Sequence, residues 1–503
     1  MAIRMPGRDP RIMRVCFRPN AEDLSGRVVR GAAWMGTLIV ARAVLTVGST
    51  AILARLLTPT DYGYVAMATV VTELAAMLCV FGLPAILVQQ QHVRRLDLDS
   101  GFWLSVFLGV MIVSLLIAGS AVTADLFREP RLAPILWAMS SLILFEEVSA
   151  IHQSIVYRLL LFRYEFICQL ANLLVRIAVS ISLALAGFGV WSLVWATVAG
   201  RATQFVLVWY LIPYVPRFRF NMDFIRRNLR TGGSYFGSAA LNFIASSVDT
   251  ATVGRAFGAA QLGYYQTGLA LPEELRSRMA AAMQRVLFPA YSMVQSDHSA
   301  FQYGVLKSLR LLAAIAMPMG VGMAALADPI VRTLYGDQWL PVVPLLQILA
   351  IVGIMRALQA LLSNIYRAKG RPDLDFKIGL WLTPLLVLAV LIGSRWGTAG
   401  VAVGVLLFNV AHFASTYRAL RLIELDPRKT LAQLLPAAGA AVFMGAALFA
   451  LDAMRLVPRS TVLVELIEQV AIGAMLFFAA LFTISRSTID ELWSVWRLLR
   501  ARN

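Results

Sequence analysis

Long apolar stretches recur along almost the whole chain and are separated by short polar segments rich in arginine. About 20 consecutive apolar residues form a helix long enough to cross the ~30 Å hydrocarbon core of a membrane. The stretches lack the period-two alternation of a barrel strand, so we predict an all-α integral membrane protein with about 14 transmembrane helices. The first six lie near residues 31–57, 62–88, 101–122, 133–154, 166–187 and 190–212; the next six lie near 233–257, 262–289, 305–326, 340–365, 376–393 and 398–420; the last two lie near 434–456 and 462–484.

The same pattern divides the chain into segments. We predict a basic cytoplasmic tail (1–30), an N-lobe of six helices (31–212), a basic cytoplasmic linker (213–232), a C-lobe of six helices (233–420), two further helices (430–484) and an amphipathic cytoplasmic tail (485–503). Thr488-Ile489-Asp490-Glu491 forms a capping box ahead of apolar residues at helical spacing. This last helix either lies flat on the membrane or forms a solvated tail.

The two lobes share a pattern that repeats at a spacing of 200 residues. Without any gap, Thr50, Ala51, Arg55, Gly63, Tyr64 and Glu73 align with Thr250, Ala251, Arg255, Gly263, Tyr264 and Glu273, against roughly two identities expected by chance. We therefore predict a parallel internal repeat, with a binding site between the halves near the membrane midplane. Pro272 removes a backbone hydrogen bond in mid-helix, which predicts a kink or a static bend there.

Composition supports the membrane assignment, because 59% hydrophobic and 15% charged residues cannot give a water-soluble exterior. Most lysines and arginines outside the helices fall in the two tails and in alternate loops, so this side is predicted to be cytoplasmic, with both termini on it. The net charge of +17 is explained by anionic lipids at that surface and requires no nucleic acid.

The sequence contains no recognisable motif for catalysis or metal binding. The cysteines and histidines are scattered, which predicts neither a metal site nor a disulfide framework. A Gly-rich phosphate loop and a Gly-x-Ser-x-Gly nucleophile motif are both missing from the sequence. We therefore expect no catalytic residues, no metal and no cofactor, and predict that the protein is not an enzyme.

Ionisable residues within the predicted spans are the remaining chemical signal, because a charge in the membrane is costly and indicates function. Those in the middle third of their helices are Arg42, Glu73, Glu146, Glu147, Arg176, Arg201, Glu273, Glu274, Arg276 and Arg356. Arginines at one depth suit a cavity for an anionic group, since guanidinium binds phosphate oxygens in a bidentate manner. The carboxylates would pair with these arginines when the cavity is empty, or would bind a coupling Na+ or H+. For each residue taken singly, a structural ion pair between helices is an open alternative.

Several motifs resemble those of a known family. They are the turn from Arg55 to Gly63, Gly82-Leu83-Pro84-Ala85, Gly254-Arg255-Ala256-Phe257-Gly258, Leu262-Gly263-Tyr264-Tyr265 and Gly370-Arg371-Pro372. Together they resemble polysaccharide transporters of the Wzx-like flippase type, within the multidrug/oligosaccharidyl-lipid/polysaccharide (MOP) exporter superfamily, from Gly31 to about Leu420. The resemblance implies two six-helix lobes around a central cavity, alternating access, and export of undecaprenyl-diphosphate-linked oligosaccharide to the outer leaflet of a bacterial inner membrane. It also implies a polysaccharide polymerase and a chain-length regulator as partners.

Combining this resemblance with the intramembrane charges gives a candidate site. We predict that Arg42, Arg176, Arg201, Arg276 and Arg356 bind the substrate and that Glu73, Asp249 and Glu273 are counter-charges or coupling sites. The cargo sugar and the choice among exopolysaccharide, capsule and lipopolysaccharide pathways stay open. A cation-coupled multidrug exporter of the same superfamily and a membrane glycan polymerase are the alternatives, although a polymerase is expected to carry a larger outer loop.

Overall fold

The computed structural model describes residues 41–42, 45–79, 87, 90, 93–293, 297–368, 372–423, 425–454, 462–486, 488–491 and 493. Within these ranges the chain forms helices joined by turns and short extended segments, and none of the described residues is in a β-strand. The predicted all-α class is therefore confirmed. The predicted tail 1–30 and the motif residues Gly82-Leu83-Pro84-Ala85 and Gly370-Arg371 lie outside the described residues.

The described residues of the first part of the chain include seven α-helices. They are α1 (Leu45–Leu56), α2 (Pro59–Cys79), α3 (Arg95–Ala118), α4 (Ser120–Phe127), α5 (Leu132–Arg158), α6 (Phe162–Leu185) and α7 (Val190–Leu211). The start of α2 shows how the sequence sets a boundary: Thr58 donates from its backbone N and its Oγ1 to Asp61 Oδ2, at 2.9 Å and 2.7 Å. Pro59 follows as the first helical residue, where its missing N–H costs nothing.

Where the structure describes the rest of the chain, it includes nine α-helices. They are α8 (Met222–Met293), α9 (His298–Ala325), α10 (Ala327–Leu334), α11 (Val342–Ala368), α12 (Pro372–Gly393), α13 (Gly397–Ala419), α14 (Pro427–Ala432), α15 (Leu435–Ala453) and α16 (Val462–Ile484). Helix α8 runs through the positions predicted as two separate helices, and its helical dihedral angles are interrupted at Gly258 (φ 78°, ψ −179°). The interruption falls at Gly258 because glycine adopts this conformation without strain, and the predicted bend at Pro272 stays a prediction.

Nine spans within the described residues are long and apolar enough to cross a membrane. Helices α12 and α13 together form one of these, Phe376–Thr416. The protein is thus a multi-pass membrane protein, and the count of about 14 helices stays a prediction.

The chain divides into two compact units, Met1–Gly263 and Tyr264–Asn503, called here the N-unit and the C-unit. The N-unit has a core centred on Phe102, Ile151 and Phe224. The C-unit has a core to which α9 and α11 contribute, with Phe301 and Leu361 fully buried.

The start of the C-terminal tail packs against the C-unit. Thr488 is 1% exposed, Ile489 packs on a cluster that includes Met444, and Glu491 Oε1 lies 3.1 Å from Arg310 Nη1. Residues 488–491 are therefore docked against the helices. The predicted solvated tail does not describe these four residues, and the segment 494–503 lies outside the described residues.

Two glycines of the sequence repeat make the same close contact in the N-unit. A Cβ atom on Gly63 would lie 1.8 Å from the carbonyl oxygen of Ala259, and one on Gly263 would lie 1.8 Å from that of Pro59. Pro59 and Ala259 are themselves one repeat apart, so the contact is reciprocal. Reciprocal contacts of this kind are expected between equivalent surfaces, and the parallel internal repeat of the whole chain stays a prediction.

Glu129, in the turn between α4 and α5, accepts hydrogen bonds from residues on both sides of this contact. Its Oε2 accepts a hydrogen bond from Tyr64 Oη (2.9 Å), and its Oε1 accepts one from Ala259 N (3.4 Å). Ala259 is the first residue of the second arm of α8, whose N–H has no acceptor within the helix. Glu129 therefore acts as an N-cap supplied by another part of the fold, in place of the side chain that Gly258 lacks.

Candidate functional site

Three of the predicted arginines gather in the N-unit. Arg176 lies within electrostatic range of both Arg42 and Arg201. Arg176 and Arg201 are half-buried, and Arg42 is exposed. Among the described residues, none of the three forms an ion pair with a carboxylate. The N-unit therefore holds a group of three arginines in its helices, and none of them is paired with a described carboxylate.

Close packing of α6 on α7 brings these side chains together. A Cβ atom on Gly200 would lie 2.9 Å from Asn172 Oδ1 and 3.3 Å from Arg176 Cβ, so only glycine lets the helices approach so closely here. Arg176 follows Asn172 by four residues and therefore lies on the same face of α6. Arg201 is the next residue after Gly200. The glycine thus determines how near the two guanidinium groups come.

Two amide side chains complete this part of the site, and the sequence analysis missed them. Asn172 Nδ2 donates to Gln204 Oε1 at 2.9 Å, and Arg201 Nη1 approaches the same oxygen at 3.5 Å. Gln204 is only 8% exposed. Amides in a membrane helix seek a partner on a neighbouring helix, so their presence in α6 and α7 was a signal that could have revealed them.

Three carboxylates of the N-unit were predicted to lie at the same depth as these arginines. Glu73 and Glu146 are exposed and Glu147 is half-buried. Glu147 accepts a hydrogen bond from Ser105, and its Cβ would lie 3.0 Å from a Cβ placed on Gly109. No ion pair of Glu73 with an arginine is formed within the described part of the chain, so its role as a counter-charge stays a prediction.

Asp249 is placed differently from the other predicted site residues. Its side chain is 2% exposed, and Oδ1 accepts hydrogen bonds from Thr250 N (2.7 Å) and Thr250 Oγ1 (3.3 Å). The carboxylate is thus engaged by its own helix. This is the arrangement of a structural group, and a counter-charge role for Asp249 stays a prediction.

The C-unit brings the other two arginines onto one carboxylate. Arg276 Nε donates to both oxygens of Glu273, at 2.8 Å and 2.9 Å, and Arg356 Nη1 lies 3.7 Å from Glu273 Oε2. The side chains of Arg276 and Glu273 are 33% and 37% exposed, so the group is accessible. Two guanidinium groups and one carboxylate leave a net positive charge.

A second glycine contact sets this arrangement. A Cβ on Gly353 would lie 3.0 Å from Pro272 Cβ, so α11 packs directly on α8 beside Glu273. Arg356 follows Gly353 by less than one helical turn and faces the same region of α8. Pro272 therefore serves as a packing surface in the described fold.

Both groups can bind an anion. Guanidinium groups stay charged at any relevant pH and match the geometry of phosphate oxygens. Ionisable side chains inside the helices of a multi-pass membrane protein mark candidate substrate or ion pathways, as in membrane transporters.

Comparison with known proteins agrees with this class. The model of the family described as polysaccharide biosynthesis protein matches residues 52–344, more than half of the 503 residues. The chain therefore belongs to this family, and its resemblance to Wzx-like polysaccharide transporters is confirmed.

Individual relatives support the assignment. The lipopolysaccharide biosynthesis protein WzxC of Escherichia coli (strain K12) is 23% identical over 78% of this chain and 81% of its own length. The succinoglycan biosynthesis transport protein ExoT of Rhizobium meliloti (strain 1021) is 28% identical over 60% of this chain and 61% of its own length. A solved structure of the lipid II flippase MurJ, in an inward closed conformation, has the same fold, with a TM-score of 0.76 and 15% identity over 92% of this chain and 100% of that one.

Proposed function

We propose that the protein is a flippase of the bacterial inner membrane that exports undecaprenyl-diphosphate-linked oligosaccharide units to the outer leaflet by alternating access. Both termini lie in the cytoplasm, and the protein catalyses no covalent step. The exported units serve the synthesis of a surface or secreted polysaccharide. A polymerase and a chain-length regulator are the proposed working partners.

The observation that carries this proposal is the group of Arg42, Arg176 and Arg201 in the N-unit, none of which pairs with a carboxylate among the described residues. Three positive charges within the spans repel one another, and such an arrangement is stabilised when an anion enters. A lipid-linked diphosphate supplies that anion, because its oxygens accept bidentate hydrogen bonds from Arg176 and Arg201. Membership of the polysaccharide biosynthesis family supports a lipid-linked glycan as the cargo.

Glu273 is the counter-charge of the C-unit in this proposal. Its carboxylate is already neutralised by Arg276 and Arg356, so it suits a cation site poorly. An incoming diphosphate competes with Glu273 for the same two guanidinium groups. Coupling to Na+ or H+, where present, is therefore expected at another carboxylate.

The test is translocation by purified protein in proteoliposomes. The probe is a fluorescent undecaprenyl-diphosphate oligosaccharide, and the readout is the fraction that becomes accessible to a membrane-impermeant quencher on the opposite side. Losing a charge-assisted hydrogen bond costs about 1.5–3 kcal/mol, so Arg176→Ala is expected to slow translocation by about 10-fold or more. Arg176→Lys keeps the charge and is expected to retain part of the rate.

A matched control removes an arginine elsewhere. Arg395 is exposed in the short turn Ser394–Trp396, and Arg395→Ala is expected to transport as the wild type does. Wild-type rates for both Arg176→Ala and Arg201→Ala would show that this group is structural. Extrusion of cationic drugs without movement of the lipid-linked probe would instead establish the drug exporter.

A further inference from the structure

The non-helical segment between α7 and α8 is held tightly by the start of α3. Asp99, 1% exposed, accepts hydrogen bonds from Tyr214 Oη (2.7 Å) and from Arg217 N (3.2 Å). Asn221 N donates to Ser100 Oγ at 2.7 Å. Although the segment lacks regular structure, its backbone is anchored at both ends.

Further contacts extend this anchorage. Trp103 Nε1 donates to the carbonyl oxygen of Arg217 at 3.0 Å, and Asn221 Nδ2 donates to Asp97 Oδ1 at 3.0 Å. Phe224, 2% exposed, is part of the N-unit core. The segment is therefore a fixed part of the surface of the N-unit.

This fixed segment presents apolar side chains outward. Val215, Phe218, Phe220 and Met222 are 68%, 75%, 44% and 67% exposed. Phe218 packs edge-on against Trp103 and against Phe220, with ring centroids 5.0 Å apart in both pairs. Because these rings support one another, the apolar surface is preformed.

Basic side chains alternate with the apolar ones. Arg217 and Arg219 flank Phe218 and are exposed, as are Arg94 and Arg95 at the start of α3. Arg95 Nη2 approaches the carbonyl oxygen of Val215 at 3.4 Å, which places it at the same surface. The charge balance is positive even with the exposed Asp223 nearby.

The backbone indicates the depth of this surface in the membrane. Exposed apolar side chains on a spanning helix usually face acyl chains, but non-helical backbone is excluded from lipid-exposed hydrocarbon. The segment therefore lies outside the hydrocarbon core, and its exposed apolar side chains favour the headgroup level over bulk water. Arginines with aromatic and apolar side chains at that level bind anionic headgroups while the rings enter the interface.

We propose that residues 215–222, with Arg94 and Arg95, form a docking surface for anionic phospholipid of the cytoplasmic leaflet. The surface fixes the N-unit relative to the membrane interface. It concerns resident lipid and not the transported molecule, so it is independent of the proposed function.

The experiment measures lipid retention by the purified full-length protein. Protein in mixed phosphatidylglycerol and phosphatidylcholine micelles is delipidated stepwise, and the retained lipids are counted by native mass spectrometry. Each arginine at an anionic surface contributes about 1 kcal/mol. Arg217→Gln with Arg219→Gln is therefore expected to lower phosphatidylglycerol retention at the tightest site by about 25-fold and to leave phosphatidylcholine retention unchanged.

The matched control removes the same charge from another exposed pair. Arg428 and Lys429 lie on α14, and Arg428→Gln with Lys429→Gln is expected to keep wild-type retention. Arg217 takes part in the anchorage through its backbone N and O, so its side chain can be changed without breaking those bonds. Equal losses of phosphatidylglycerol retention in the two double variants would show that only net charge matters and would overturn the proposal. Unchanged retention in the Arg217 and Arg219 variant would overturn it as well.

A second measurement tests the apolar side chains. Phe218→Ser with Phe220→Ser is expected to raise hydrogen–deuterium exchange of peptide 215–222 in phosphatidylglycerol nanodiscs, because the rings no longer hold the segment at the interface. Exchange equal to that of the wild type in these nanodiscs would show that the segment does not contact lipid and would also overturn the proposal.

Discussion

The reciprocal glycine contact gives the sharpest test of the fold. Replacing Gly63 by alanine places a Cβ atom 1.8 Å from the carbonyl oxygen of Ala259, whereas ordinary contacts begin at 3.4 Å. The obstructing atom belongs to the backbone, so no side-chain rotation relieves the clash. The two segments must separate by roughly the difference between these distances.

The expected cost follows from two opposing terms. Overpacking of this kind typically costs about 1–3 kcal/mol, while alanine in a helix is favoured over glycine by about 1 kcal/mol. Gly48→Ala isolates the helix preference of alanine over glycine, because no atom lies within 4 Å of a Cβ added at Gly48. We expect Gly63→Ala to lower the Tm of the detergent-purified protein and Gly48→Ala to leave it unchanged or raise it.

The repeat makes this prediction stricter. Gly263→Ala pushes on Pro59 in the same way, so it is expected to cost about as much as Gly63→Ala. Once either substitution has separated the segments, the other meets less resistance, and the double variant should cost less than the sum of the two. Equal stability of Gly63→Ala and Gly48→Ala, or strictly additive losses in the double variant, would refute the reciprocal contact.

Other predictions concern polar groups of the N-unit. Tyr214→Phe removes a hydrogen bond to the buried Asp99 and is expected to cost about 1–3 kcal/mol, measured as a lower Tm. Burial first, and then the hydrogen bond with Asp99 and its charge, raise the pKa of Tyr214. An unfolded tyrosine ionises near pH ~10, so the stabilisation by the Tyr214 hydroxyl is complete below that pH and declines as the pH rises further. Tyr214→Phe should therefore make the fall in Tm at alkaline pH less steep. An unchanged dependence of Tm on pH would contradict this role of Tyr214. Glu129→Ala removes the acceptor of Tyr64 Oη and Ala259 N and is expected to increase amide exchange in the first turn after Gly258, with no change at α6 as the internal control.

Much of the architecture was accessible from local sequence. Apolar stretches of spanning length predicted the helices. Their boundaries were predicted less closely: α2 was expected from about residue 62 and begins at Pro59, because Thr58 and Asp61 cap its first turn. Gly63 and Gly263 were visible in the sequence as one of the aligned pairs. Their reciprocal contact became clear only when the structure placed Gly63 against Ala259 and Gly263 against Pro59.

The candidate site was predicted less completely. Arg176, Arg201, Glu273 and Arg356 were identified from their cost in the membrane, which depends on position along a span. Which carboxylate pairs with which arginine depends on distances across helices, and the sequence contains no such distances.

The sequence by itself determined that this is an all-helical membrane protein with arginines inside its spans, because hydrophobicity and helix length are properties of short stretches. The tertiary structure alone decided that Arg176 stands beside other arginines while Arg276 and Arg356 share Glu273. It also decided that Glu129 caps the second arm of α8, after Gly258, and that the segment between α7 and α8 is held against α3. Each of these depends on contacts between residues distant in the chain, and glycines such as Gly200 and Gly353 set how closely those helices approach.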